Sequence, residues 1–170
     1  MRRSAGFLLL PALLLPLSAF AGPAEELSGL FVQSCLPYAG QPATLRQWAA
    51  RAKLSEVPEP ARRPFLSGAP GKVFDASIAT GKYVLVSSDD GICAVVTDRT
   101  ADRDAVKGFE AALRDAAVTF RLVIERDDKA NASLHHREYL ATRQGRSWRI
   151  LLATIKDGTP GQTMLTAAPE

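Results

Sequence analysis

Lys82-Tyr83-Val84-Leu85-Val86-Ser87-Ser88, then Asp89-Asp90-Gly91, then Ile92-Cys93-Ala94-Val95-Val96-Thr97: two β-rich runs meet at an Asp-Gly step. Glycine supplies the positive φ of a tight turn, so the pattern predicts an antiparallel hairpin. Three more strands are expected after residue 117. Phe120, Leu122 and Ile124 alternate with Arg121, Val123 and Glu125, and Trp148, Ile150 and Leu152 alternate with Arg149, Leu151 and Ala153; Leu134 to Arg143 reads as a mixed strand between them. Asp127 to Asn131 and Gln144-Gly145-Arg146 supply the turns, and short turns pair consecutive strands antiparallel. Val73-Phe74 reads as a further, short strand.

Helical spacing surrounds these runs. Leu27, Leu30, Phe31 and Cys35 share one face of Ala24 to Leu36, which Pro37 ends. Ala43 to Leu54 places Leu45, Trp48, Ala49 and Ala52 on one side. Val106, Phe109 and Leu113 line Asp102 to Ala117, with Thr100 as expected N-cap and Asp102 and Asp104 in the first turn. Val57 to Lys72 is rich in proline and glycine and reads as an irregular connection. The fold class is α+β: an antiparallel sheet with one long helix packed on one face, and two N-terminal helices.

The N-terminus carries an address. Arg2 and Arg3 precede the apolar run Phe7 to Leu17, and Ser18-Ala19-Phe20-Ala21 has the small residues of a cleavage site. Residues 1–21 are expected to be a signal peptide cut after Ala21, since eleven apolar residues fall short of the about 20 that span a bilayer. Arg2-Arg3 lack the longer twin-arginine context. Residues 22–158 then form a single α+β domain, and 159–170, without clear periodicity, a frayed C-terminal tail. The expected location is periplasmic or secreted.

Without Arg2 and Arg3 the 21 basic residues fall to 19 against 18 acidic, a net of +1. Such a balance gives no electrostatic mandate to bind nucleic acid. No later segment reaches membrane-spanning length, so stable insertion is not expected. Cys35 and Cys93 are the chain's two cysteines, and an even count in an exported chain reads as one disulfide. The alternative is a reactive or metal-binding thiol, which no C-x-x-C pair supports.

Phe65-Leu66-Ser67-Gly68, Gly71-Lys72-Val73-Phe74, Gly81-Lys82-Tyr83-Val84-Leu85-Val86 and Asp90-Gly91-Ile92-Cys93-Ala94-Val95 together resemble a family of small exported bacterial proteins. Members are similar in pairing that cysteine with one in an N-terminal helix, here Cys35. The resemblance covers about half of the chain after residue 21. It implies export and fold, and assigns no functional residue.

Catalytic patterns fail in turn. His135 and His136, the two histidines, are adjacent on a strand and face opposite sides, so they share no metal unless the strand bulges. Asp89-Asp90 serve the turn before Gly91 rather than acid–base chemistry. Gly68-Ala69-Pro70-Gly71-Lys72 lacks the first glycine and final Ser or Thr of a phosphate loop, having Leu66 and Val73 there. No serine sits in G-x-S-x-G. Asn131-Ala132-Ser133 is a glycosylation sequon, relevant only to a eukaryotic secretory path. No catalytic residue, metal site or cofactor is expected.

One surface is singled out. If the large apolar residues face the helix, Arg121, Arg149 and Arg137 face away, and Tyr139 shares the phase of Arg137. Residues 118–158 hold eight Lys or Arg against five Asp or Glu. The leading expectation is a non-catalytic binding or interaction module of the cell envelope. Its partner would be an anionic envelope component or another protein, met on an open face by Arg121, Arg137, Tyr139 and Arg149. The alternatives are a periplasmic hydrolase with an unrecognised site, requiring His135 or His136 near a cleft carboxylate, and a structural or assembly component of an envelope complex.

Overall fold

The Asp89–Gly91 turn closes with Gly91 at φ +93°, and Ser88 N donates to Ile92 O at 2.9 Å. The computed structural model describes residues 22–156 and 161–170. The expected signal peptide lies outside the described residues, as does Asp157-Gly158, whose Asp-Gly step reads as a further turn signal. The elements are α1 (Pro23–Tyr38), α2 (Pro42–Arg51), β1 (Ser55–Glu56), α3 (Glu59–Leu66), β2 (Gly71–Asp75), β3 (Tyr83–Ser88), β4 (Cys93–Thr100), α4 (Asp102–Asp115), β5 (Thr119–Asp127), β6 (Leu134–Arg143), β7 (Arg146–Ile155) and β8 (Gly161–Pro169).

All eight strands form one sheet of order β1-β2-β3-β4-β8-β7-β6-β5, antiparallel throughout. The α+β expectation holds. The sheet has two halves, each a helix followed by a meander: α1 precedes β2-β3-β4, and α4 precedes β5-β6-β7-β8. The last strand of each meander pairs with the other at the centre.

Helices α1 and α4 lie side by side on what we call the inner face. Leu27 and Phe31 meet Phe109 and Leu113 above Tyr83, Leu85, Val95, Tyr139, Ile150, Leu152 and Leu165, all fully buried or nearly so. The Phe31 and Phe109 rings meet edge-on at 5.8 Å, and Phe109 and Tyr139 at 5.2 Å. Burying each such side chain contributes about 1.5–3 kcal/mol. Gly108 is a poor helix former. A Cβ there would lie 3.1 Å from the Ala24 backbone, so glycine is what lets the two helices approach. Cys35 on α1 is bonded to Cys93 on β4 across 5.3 Å between Cα atoms, fixing this layer to the middle of the sheet.

Three expectations are corrected. Residues 161–170, the described part of the expected tail, are not frayed: β8 is a central strand, paired with β4 and β7 along its length and sending Thr163, Leu165 and Ala167 inward. Two of its inner positions, Thr163 and Ala167, are small; Ala167 is opposite Cys93, under α1 and the disulfide. Small residues weaken a strand pattern, which is why it reads poorly. Second, Val57 to Lys72 is not wholly irregular. It holds α3 and the first two residues of β2, and Pro60 of α3 sits in the first turn, where a missing N–H removes nothing. Phe65 and Leu66 of α3 pack on Val73, Val86 and Ala94, on the outer face. Third, Thr100 does not cap α4; it belongs to β4, and Ala101 stands at the N-cap.

Candidate functional site

Register decides which face each predicted residue occupies, because paired residues on antiparallel neighbours share a face. Tyr139 pairs with Ile150, and Arg137 with Leu152, both core positions. Arg137 and Tyr139 are therefore on the inner face, not on the open one where the sequence reading put them. Tyr139 is buried under α4 and its Oη donates to Glu110 Oε1 at 3.3 Å. Arg121 and Arg149 do lie on the outer face, joined through Leu140. The sequence phase failed on β6 because its mixed pattern hides its inward side. The phase is reversed once more in β5. A register shift between Leu122 and Ile124 leaves Leu122 on the inner side and turns Ile124 outward, opposite Glu138.

Arg137 instead anchors a polar network where the sheet outruns α4. Its Nη1 and Nη2 donate to Asp102 Oδ1 and Oδ2 at 2.5 and 3.1 Å, and its Nε to Glu125 Oε1 at 2.9 Å. Thr154 also donates to Asp102. His135 faces Asp127 Oδ1 through Nδ1 at 2.7 Å and Glu125 Oε1 through Nε2 at 3.1 Å, and Lys156 donates to Asp127 Oδ2 at 2.7 Å. Burial acts to raise the Asp102 carboxyl, but the bonds from Arg137 and Thr154 and the charges of Arg137 and His135 outweigh it, and the net is downward. The bond with His135, opposed by partial burial and aided by Arg137, holds Glu125 below the carboxylate range. Lys156 first, then His135, does the same for Asp127.

This network sets carboxylates beside a histidine, each already engaged. Both His135 nitrogens face carboxylates, and the Thr154 hydroxyl is given to Asp102. Among the described residues no serine hydroxyl is bonded to either histidine, and both cysteines are in the disulfide. His136 points to the opposite face, as expected, with Nε2 3.9 Å from Asp128 Oδ2. Among the described residues no group of His, Cys, Asp or Glu is arranged to hold a metal ion. The sequence reading missed the network, because its members come from α4, β5, β6 and β7 and share no local pattern. Asp89 likewise serves structure, pairing with Arg46.

The outer face differs between the two halves of the sheet. Over β2–β4 it is covered by α3. Over β5–β8 no described element covers it, and it holds a hollow of about 220 Å3 lined by Ile124, Arg126, His136, Leu151 and Thr166, and by the Glu138–Arg149 pair. Ile124 is 40% exposed. Arg149 is spoken for, by Glu138 and by Glu170 at 3.1 Å. Arg121 and Arg126 have no ion-pair partner among the described residues. The Thr166 hydroxyl is buried and without a hydrogen-bond partner among the described residues. Arg126 and Thr166 were not legible as members of this surface, since the first depends on the register shift and the second on β8. The chain matches no family model, no curated protein and no solved structure.

Proposed function

We propose that the protein is a non-catalytic binding module of the cell envelope that holds an anionic partner on the open outer face of β5–β8. The observation that carries this reading is Arg121 and Arg126, neither in an ion pair among the described residues, on either side of the exposed Ile124. Isolated surface cations are cheaply solvated. Cations flanking an exposed apolar residue on a half-covered sheet face form a surface that charge and burial together favour filling. Arginine suits the role because its planar fork takes carboxylate or phosphate bidentately.

Export supports the same setting. A signal peptide over 1–21 and a periplasmic or secreted location are part of this proposal. The disulfide fits an oxidising compartment. No helix among the described residues is long and apolar enough to cross a membrane. Mass spectrometry of the protein from its native location should find Gly22 first. The test of function is capture from the native envelope by wild type and by the triple variant Arg121→Gln, Arg126→Gln, Arg149→Gln. Loss of capture from a variant folded by circular dichroism is expected; unchanged capture would refute the reading.

A further inference from the structure

On the proposed reading of the open face, we infer that its occupant is an acidic amphipathic helix of a partner protein, seated beside α3. The outer face carries a continuous row across the sheet: Val73, Val86, Ala94, Thr166, Leu151, Glu138 and Ile124, each paired with the next. The chain covers the first three positions itself, with a short helix that lays Phe65 and Leu66 on them. The row then continues uncovered from Thr166 to Ile124. Its apolar members, Leu151 and Ile124, offer the kind of surface that α3 covers next door.

Width fits one helix. From β8 to β5 is three strand spacings, about 14 Å, and a helix with its side chains is about 10–12 Å across. The backbone of a sheet face is already paired, so an occupant binds through side chains, and an apolar stripe at helical spacing matches Leu151 and Ile124. Charge supplies the second requirement. Arg121 and Arg126 make no ion pair among the described residues. The carboxylate Glu138 is already engaged by Arg149. Glutamates flanking the apolar stripe would answer both cations. Leu151 and Ile124 line the hollow beside Arg126 and Arg149, a concavity that side chains of a helix fill and a planar bilayer does not.

The probe is a synthetic 14-residue helical peptide with leucine at three- and four-residue spacing and glutamate elsewhere. It is titrated into the disulfide-bonded protein of residues 22–170 and followed by amide resonance shifts. A lysine-for-glutamate peptide and phosphatidylglycerol vesicles are run alongside. The expected result is saturable shifts at Ile124, Leu151 and Thr166 with the glutamate peptide. Arg121→Glu with Arg126→Glu, and separately Ile124→Asp, should each weaken it at least tenfold, and the lysine peptide should not bind. Equal binding of the lysine peptide, or shifts elsewhere, would overturn the inference. If vesicles bind through Arg121 and Arg126 while the peptide does not, the helix inference falls and the anionic-partner reading stands. If neither anionic probe binds this face, both fall. Saturation of the same resonances by self-association, seen as a dimer in sedimentation, would make the occupant a second copy and also overturn the inference.

Discussion

Arg137 and Asp102 face each other fork to fork, two nitrogens on two oxygens at 2.5 and 3.1 Å, tying the middle strand of the β5–β7 meander to the first residue of α4. Both side chains are largely shielded, at 13% and 21% exposure, so this pair contributes more than an open surface bridge would. Hydrogen bonds to charged groups contribute about 1.5–3 kcal/mol each way. Arg137→Met should therefore lower stability by about 2–3 kcal/mol in urea denaturation. Arg137→Lys, which keeps the charge but not the fork, should recover only part of it. A neutral Arg137→Met would show that the network is decorative.

The same network predicts an acid limb. Asp102, Glu125 and Asp127 are each held below their ordinary values in the folded protein. A depressed carboxyl gives stability that is complete above its unfolded value, about 4, and is lost as pH falls through the lower folded value. Urea midpoints should thus owe no change to these groups between pH 7 and pH 5, and fall below about pH 4. Asp102→Asn should start lower at pH 7 and fall less steeply in acid. A parallel acid limb in that variant would contradict the assignment.

Gly91 has no room for a side chain. Its φ is +93°, and a Cβ would sit 2.8 Å from the Cα of Gly40, whose N–H donates to Gly91 O at 2.8 Å. Gly91→Ala combines a left-handed backbone with a backbone clash, and should cost about 2 kcal/mol or more. Gly145→Ala is the control. It has positive φ, +77°, but open space around it, so only the conformational part, about 1 kcal/mol, should appear in thermal unfolding.

The Cys35–Cys93 bond closes a loop of 58 positions. The chain-entropy relation puts its effect at about 4 kcal/mol, reduced by residual structure in the unfolded chain. The double variant Cys35→Ala, Cys93→Ala should lose about 2–4 kcal/mol in chemical denaturation. Non-reducing peptide mapping should join the two cysteine peptides of the wild type. Free thiols at both positions in native material would contradict the bond.

Where neighbours in sequence made the structure, the sequence could be read. The 82–97 hairpin, the α4 stripe and the Trp148-Ile150-Leu152 alternation each encode one face and one period, and each is found where expected. Reading failed where the deciding force came from distant chain. Ala167 is small because α1 and the disulfide lie over it, not because its strand is weak. Pro60 and Pro64 hide a helix that the Val73–Val86–Ala94 patch holds in place. Ile124 faces outward because β5 carries one residue more than its partner at Val123, which no alternation predicts. Of the candidate surface, Arg121 and Arg149 were legible. Arg137 and Tyr139 were misplaced by one strand phase, and Arg126 and Thr166 came into view only with the sheet's register.

Strand β8, made after every other strand of the sheet, holds the seam between the two meanders, and this orders events in time. A chain emerging N-terminus first can complete β2-β3-β4 and join Cys35 to Cys93 while β8 is still missing, since both cysteines lie in the first half. In the sheet the second meander meets the first through β8, over a long sequence separation that makes closure slow. The covalent bond therefore belongs to the early half of assembly and the central ladder to its end. Pulse-labelled amides of Val95 and Leu165 should gain protection together, after the thiols are consumed. Until then the facing edge of β4 stays open, which makes the newly emerged protein most prone to wrong pairing just before β8 arrives.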